Sequence, residues 1–264
     1  MKLCMMTCMM DGYSPREIVE TAVKCRMSAI DWISTHQTDP KVLKKLCDDA
    51  GLPIAAHTMI KTKFIERRPD YLDDFKASLE DCLTLGAPVL MLPPFARENQ
   101  ASLADDRKAY IEYYVQAYEL AKDAGVTLTL ESTGFGNSPI TTAAEVLEVL
   151  QAVPGLKLTF DYGNVATADD PDAAYCRLHD YIVHFHLKDW HFSDQPQPDG
   201  WLARNGRYVG GRLMGTGDLD LVGFWAKVSE EHRQLPVNLE SIDYTGKMTP
   251  AESMVYLADQ WRDR

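Results

Sequence analysis

Four side chains able to hold a metal fall at or near the ends of four successive apolar runs: Glu131, Asp161, His186 and Glu240. Each run alternates. Val126, Leu128 and Leu130 interleave with Thr127, Thr129 and Glu131; Leu158 and Phe160 with Lys157, Thr159 and Asp161. Val183, Phe185 and Leu187 interleave with His184, His186 and Lys188; Val237 and Leu239 with Asn238 and Glu240. A period of two is that of a strand, so each polar set shares one face. If the apolar faces meet outer helices, the polar faces converge, and neighbouring carboxylates taken out of water repel one another. A divalent cation resolves that repulsion. Three carboxylates and one imidazole give it oxygen and nitrogen ligands and leave positions open for substrate or water. The expected metal ligands are Glu131, Asp161, His186 and Glu240, with one divalent ion per chain; the oxygen-rich set favours Mn, Mg, Co or Fe over Zn.

Other groups lie near these four in sequence. His184 shares the face of His186 and reads either as a hydrogen-bond partner of substrate or of a carboxylate behind the ligands, or as a structural core histidine. Lys188 is placed to polarise a substrate oxygen or orient Glu240, with an ion pair to Asp161 or Asp189 as the competing role. Trp190 and Trp201 offer aromatic faces to a sugar ring. Arg204, Arg207 and Arg212 are candidate phosphate ligands or solvated loop residues.

The elements that must position these groups are unusually well punctuated. Ser14 to Glu17, Thr142 to Glu145 and Thr249 to Glu252 are capping boxes, two of them with proline at the first helical position. Asp39 and Asp170, each followed by proline, supply further N-caps. Gly51, Gly86 and Gly125 mark helix ends just before apolar runs. Strands are expected near 2–8, 29–33, 53–57, 88–92, 126–131, 157–161, 181–188 and 236–240. Eight strands alternating with helices in 264 residues predict an α/β fold, a single (β/α)8 TIM barrel over 1–264, with active groups at the C-terminal strand ends. The stretch from Trp190 to Asp218 is expected to be a long loop over that face. No glycine-rich phosphate turn follows the first strand, which argues against an open dinucleotide-binding sheet.

Composition narrows the partners. A formal charge of −12 opposes a polyanion, so no nucleic acid is expected. No apolar stretch approaches the roughly 20 residues that cross a bilayer, so no membrane association is expected. The run Met1 to Met10 reads as a first strand rather than a signal peptide. The six cysteines form no C-x-x-C pair and read as small hydrophobes in a cytoplasmic protein. Assembly into a homo-oligomer stays open.

The segments L-T-L-E-S (Leu128 to Ser132), D-Y-G-N (Asp161 to Asn164), H-F-H-L-K-D (His184 to Asp189), G-T-G-D-L-D (Gly215 to Asp220) and N-L-E-S (Asn238 to Ser241) resemble the xylose isomerase-like barrel superfamily, in particular its sugar phosphate isomerase/epimerase branch. The resemblance spans essentially the whole chain, by layout alone in its first half. It implies the same four metal ligands, with Glu131 and Glu240 also the acid/base pair, and a substrate contact at His57. Related epimerases carry a substrate-touching His three residues after the metal-binding Asp; this chain has Asn164 there, and Trp190-His191 where an Arg is often found.

The expected function is therefore a divalent-metal-dependent isomerase or epimerase of a keto-sugar or polyol, working by proton transfer next to a carbonyl. Loss of a neighbouring hydroxyl would make the same site a dehydratase or lyase of a keto-sugar or inosose. An abasic-site endonuclease would need a richer metal set and a basic groove. A non-catalytic sugar-binding barrel would need no pair of glutamates on the metal.

Overall fold

The computed structural model describes residues 1–60, 68–95, 102–198 and 200–264. Eight strands close into a parallel barrel: β1 (Lys2–Met6), β2 (Ala29–Ile33), β3 (Ile54–Thr58), β4 (Val89–Leu92), β5 (Thr127–Glu131), β6 (Lys157–Asp161), β7 (Ile182–Leu187) and, after a three-strand insertion, β11 (Pro236–Leu239). Closure comes from β1, which pairs with β2 on one side and β11 on the other. The observed strands start or stop within one or two residues of the expected ones.

The helices begin where capping chemistry directs. Ser14, Thr142 and Thr249 close reciprocal boxes with Glu17, Glu145 and Glu252 at the starts of α1 (Pro15–Lys24), α5 (Ala143–Ala152) and α9 (Pro250–Trp261). Asp39 and Asp170 cap α2 (Pro40–Asp49) and α7 (Pro171–Leu178) through backbone N–H groups. Helices α3 (Tyr71–Leu85), α4 (Leu103–Asp123), the short α6 (Tyr162–Ala166) and α8 (Leu221–Lys227) complete the outer ring. Leu128, Leu130, Leu158, Phe160, Phe185, Leu187, Val237 and Leu239 are all buried in the core cluster they form with helix residues such as Tyr114, Val149, Phe224 and Leu257. At about 25 cal/mol per Å² of buried apolar surface this layer is the main stabilising contribution.

The segment expected as a long loop is folded. Asp189–Ser193 (β8), Trp201–Leu202 (β9) and Tyr208–Arg212 (β10) form an antiparallel sheet in the order β8-β10-β9. Trp190 and Phe192 alternate with His191, and Tyr208 and Val209 precede a glycine pair; these runs are too short and too glycine-rich to stand out from loop by composition. Asp189 anchors the turn that leads out of this sheet. Its carboxylate accepts N–H bonds from Trp190, Gly215, Gly217 and Leu219 at 2.9 to 3.2 Å. At Gly217 a Cβ would overlap that carboxylate and the Trp190 carbonyl oxygen, so glycine is required by space rather than by its φ. The G-T-G-D-L-D segment is thus wrapped around one buried acid.

All six cysteines are free; Cys4, Cys25, Cys47 and Cys82 are buried, Cys8 is partly so and Cys176 is exposed. Among the described residues no helix is long and apolar enough to cross a membrane.

Candidate metal centre and cavity

Strands β5, β6, β7 and β11 bring Glu131, Asp161, His186 and Glu240 to one point, one ligand atom from each lying within 4.8 Å of all the others. The strand ends do this because inward-facing positions fall in step: Asp161 is in register with His186, and His186 with Asn238, which directs the following turn to Glu240. Nδ1 of His186 lies 2.7 Å from Glu131 Oε1 and 3.3 Å from Glu240 Oε2. Oδ1 of Asp161 accepts the Asn164 N–H at 2.8 Å and so caps α6. Oδ2 of Asp161 and Oε2 of Glu240 are buried, with Lys188 Nζ at 2.8 Å and His186 Nδ1 at 3.3 Å as their neighbours among the described residues. Buried polar atoms are almost always satisfied. Three carboxylates crowded about one imidazole nitrogen, with a single ammonium to share between two of them, fit a cation, and Glu131, Asp161, His186 and Glu240 are the residues that would hold it.

Lys188 reaches the same spot, with Nζ 2.6 Å from Glu240 Oε1, 2.8 Å from Asp161 Oδ2 and 3.5 Å from Asn164 Oδ1. It therefore pairs with Asp161, not Asp189. Burial alone would strip its proton, but the charges of Asp161, Glu240 and Glu131 outweigh burial and hold its pKa well above the ordinary lysine value. Burial raises Glu240, yet Lys188 and His186 overcome it and keep that carboxyl below the usual range. Asp161 goes the other way: burial, aided by Glu131 and Glu240 against the opposing Lys188, pushes it well above. One ammonium and one imidazole do not satisfy three crowded carboxylates, which is the electrostatic deficit a divalent ion meets.

A polar column continues below the four ligands. Asp31 on β2 is fully buried; its Oδ2 accepts from Asn238 Nδ2 at 2.6 Å and lies 3.8 Å from His186 Nε2. Asn238 Nδ2 also lies 2.8 Å from that Nε2. Burial raises Asp31, and His186, His184 and Asn238 together more than reverse it, so it stays below the usual carboxylate range. Asp31 escaped the sequence reading, although a charged residue inside the apolar run Ala29 to Ile33 is the same signal that found Asp161. His184 belongs to this lower layer: it sits with Asp31 and His186, its Nε2 has no partner among the described residues, and burial lowers its pKa to about 4. It is not among the residues that line the cavity, and its neighbours are Asp31 and His186.

Above the ligands opens a cavity of about 240 Å³, walled by Glu131, Asn164, Lys188, Trp190, Trp201 and Glu240 together with Thr58, Thr133, Phe135 and other apolar residues. This is smaller than the roughly 300–1,000 Å³ of drug-sized pockets and mostly apolar with a few convergent polar groups. Asn164 and Trp190 thus both face the space above the ligands. Gly163 makes room for them, because a Cβ there would overlap the Lys188 side chain and approach Trp190 Nε1 at 2.9 Å. His57 does not reach the cavity. It pairs in register with Trp32, donates Nδ1–H to the Trp32 carbonyl at 2.9 Å, and is not among the residues that line the cavity. Arg204 is turned to Glu145 and Arg207 to Asp194, leaving neither on the cavity.

Comparison with known proteins agrees with this geometry. The sequence pattern of the xylose isomerase-like TIM barrel family matches residues 19–261. No curated protein matches by sequence. Among solved structures, a 3-keto-D-glucoside 4-epimerase from E. coli superposes with a TM-score of 0.76 at 16% identity, over 100% of both chains. An IOLI protein with a bound zinc atom gives 0.77 at 18% identity, over 98% of this chain and 96% of its own. A probable 3-DHS dehydratase from Bacillus anthracis gives 0.73 at 18%, over 97% and 98%. At these identities the likeness establishes the fold.

Proposed function

Because this chain belongs to the xylose isomerase-like TIM barrel family, we propose that it is a divalent-metal-dependent isomerase or epimerase that moves a proton next to the carbonyl of a keto-sugar or polyol. The observation that carries this reading is that two glutamates, Glu131 and Glu240, both line the cavity and both contribute to the four-ligand cluster. A bound divalent ion supplies Lewis-acid stabilisation of the negative charge that develops on the substrate oxygens. Glu240, ionised because Lys188 and His186 lower its pKa, takes the proton from the carbon. In an epimerisation Glu131, which must enter the step protonated, delivers its own proton to the opposite face, and both glutamates then re-equilibrate with solvent; in an isomerisation Glu240 hands its proton to the neighbouring carbon while a second proton passes from the hydroxyl to the carbonyl oxygen. Lys188 keeps Glu240 aimed through its 2.6 Å bond, and Asn164, fixed by donating Nδ2 to the Ser132 carbonyl at 2.9 Å, is available to a substrate hydroxyl through its oxygen. The mostly apolar walls limit bulk water around the reacting groups and strengthen the electrostatic interactions within the cavity.

The ammonium of Lys188 favours one second reading. A positively charged donor beside the base can protonate a departing hydroxyl, which would make the protein a dehydratase of a keto-sugar or inosose after the same first step.

Deuterium wash-in from heavy water, followed by NMR over a panel of ketoses and keto-polyols with Mn²⁺ or Co²⁺ supplied, tests the proposal. Glu240→Gln keeps shape and removes the basic site, so wash-in falls at least the roughly 100-fold typical of losing a general base, while metal binding changes far less. Wild-type exchange in a Glu240→Gln protein that still binds metal would refute the mechanism.

A further inference from the structure

Beside the reaction cavity lies a second one of about 530 Å³, more than twice its size, whose walls include Trp190, Gln197, Trp201, Gly211, Arg212 and Tyr244. Trp190 and Trp201 line both cavities. Their rings meet edge to face at 5.0 Å and 89°, so the partition between the two spaces is a pair of aromatic side chains. The two spaces differ in chemistry. The inner one holds the carboxylates and the lysine; the outer one has aromatic walls and, among the described residues, a single charged group.

Among the described residues no acid pairs with that charged group. Arg212 donates Nη1 to the Gly211 carbonyl at 2.8 Å and has no carboxylate partner among the described residues, whereas Arg204 and Arg207 are each paired with an acid. Gln197 is anchored by Nε2 to the carbonyls of His191 and Tyr208 at 3.1 and 3.3 Å, which leaves its amide oxygen as an acceptor. Tyr244 remains 49% exposed although its ring packs so closely on Gly211 that a Cβ there would meet ring carbons at 2.7 Å. The indole N–H of Trp201 is buried and has no acceptor among the described residues. An exposed aromatic held rigidly over a glycine, with a donor, an acceptor and one guanidinium around it, suits a flat or polyol ring that stacks and is hydrogen-bonded at its rim. It does not suit a phosphate, which calls for several converging cationic donors.

We propose that the outer cavity is a subsite for the second ring of a glycoside: the reacting sugar ring occupies the inner cavity, and the aglycone ring, a sugar or a phenol, stacks on Tyr244 and Trp201 within reach of Arg212. This deepens the proposed function and relies on it for the position of the reacting ring. The insertion β8-β10-β9 is then the specificity element of the fold. It supplies Trp190, Trp201, Gly211 and Arg212, while the turn after β11 supplies Tyr244.

Calorimetric titration of the Mn²⁺-supplied protein with D-glucose, maltose and phenyl β-D-glucopyranoside tests the subsite without requiring turnover. At least one glucoside is expected to bind ten times or more tightly than glucose. Tyr244→Ala is expected to abolish that advantage, Tyr244→Phe to keep it, and Arg212→Ala to reduce it threefold or more; none of the three changes glucose affinity or the thermal midpoint appreciably. A gain confined to maltose identifies a sugar as the second ring, and one confined to the phenyl glucoside identifies an aromatic. Equal affinity for glucose and both glucosides, no binding of either glucoside, or an advantage that survives both alanine substitutions overturns the subsite. Loss of deuterium wash-in alongside an intact, Tyr244-dependent preference overturns the reaction and leaves the subsite standing.

Discussion

Replacing Asp31 with Asn isolates the column beneath the metal ligands. Asp31 touches no cavity atom, yet its Oδ2 lies 3.8 Å from the Nε2 of His186, whose Nδ1 faces the ligand cluster. Two unit charges at that distance attract by about 4 kcal/mol at an effective dielectric of 20. Only part of this acts on a neutral imidazole that donates to a cation, and outer-shell carboxylates are typically worth tenfold to a hundredfold in metal affinity, about 1.4 to 2.7 kcal/mol. Protons complicate the readout with a definite sign. Burial disfavours a charged His186, but Glu131 and Asp31 outweigh it and raise its pKa well above normal, so at low pH the metal must displace a proton that Asp31 helps to hold. Asp31→Asn weakens both the metal and its competitor. The affinity loss is therefore smallest at acid pH and grows toward alkaline pH, approaching the full tenfold or more. Competition against a chelating dye for Mn²⁺ or Co²⁺ from pH 6 to pH 9 reads this directly. An affinity within twofold of wild type across the range would refute the positioning role. A loss that shrinks as pH rises would refute the proton linkage.

Two further outcomes are expected. Gly217→Ala forces the Asp189 carboxylate from its four N–H donors, and because several buried partners are lost together it should destabilise the fold by at least about 3 kcal/mol; a urea midpoint shift equivalent to under about 0.5 kcal/mol would contradict that. Asp243, whose pKa is lowered to about 2 chiefly by the Thr245 hydroxyl and also by backbone N–H groups of Thr245, Met248 and Lys247, stabilises its turn above the unfolded carboxylate value near 3.8. Its contribution is lost as pH falls toward 2, so the difference in thermal midpoint between wild type and Asp243→Ala should be present at pH 6 and shrink between pH 4 and pH 2.

The barrel was legible because its punctuation is redundant: capping boxes at Ser14, Thr142 and Thr249 and stops at Gly51, Gly86 and Gly125 bound the strands from both sides. The four-ligand cluster was legible because period-two alternation assigns a face without knowledge of the fold. Asp31 lay open to the same reasoning, but β2 is buried throughout and its alternation is masked by Trp32 and Ile33. His57 and His184 show the limit. Alternation says which residues share a face, not how far along the barrel axis each side chain sits, and in β3 a register shift beside Asp31 moves the pairing again. The insertion was illegible for another reason: its strands are fixed by Asp189, a single buried acid that gathers backbone donors up to 30 residues away, and hydrophobic pattern carries no record of such an anchor.

The bond between Asp31 and Asn238 joins positions 207 residues apart, across the seam where β1 seals the ring. Until that seam shuts, the acids and imidazoles of the column are free to stay hydrated, and closure is the step that dries them. Burying this polar column costs solvation of its acid and imidazoles, so the column opposes closure of the ring even though the helices and outer strand faces favour it. Any ligand that recognises only the sealed ring shifts this balance by mass action. The ion that equips the site for chemistry would thus also act as a clasp on the topology, and its supply would govern how much newly made chain completes the circle.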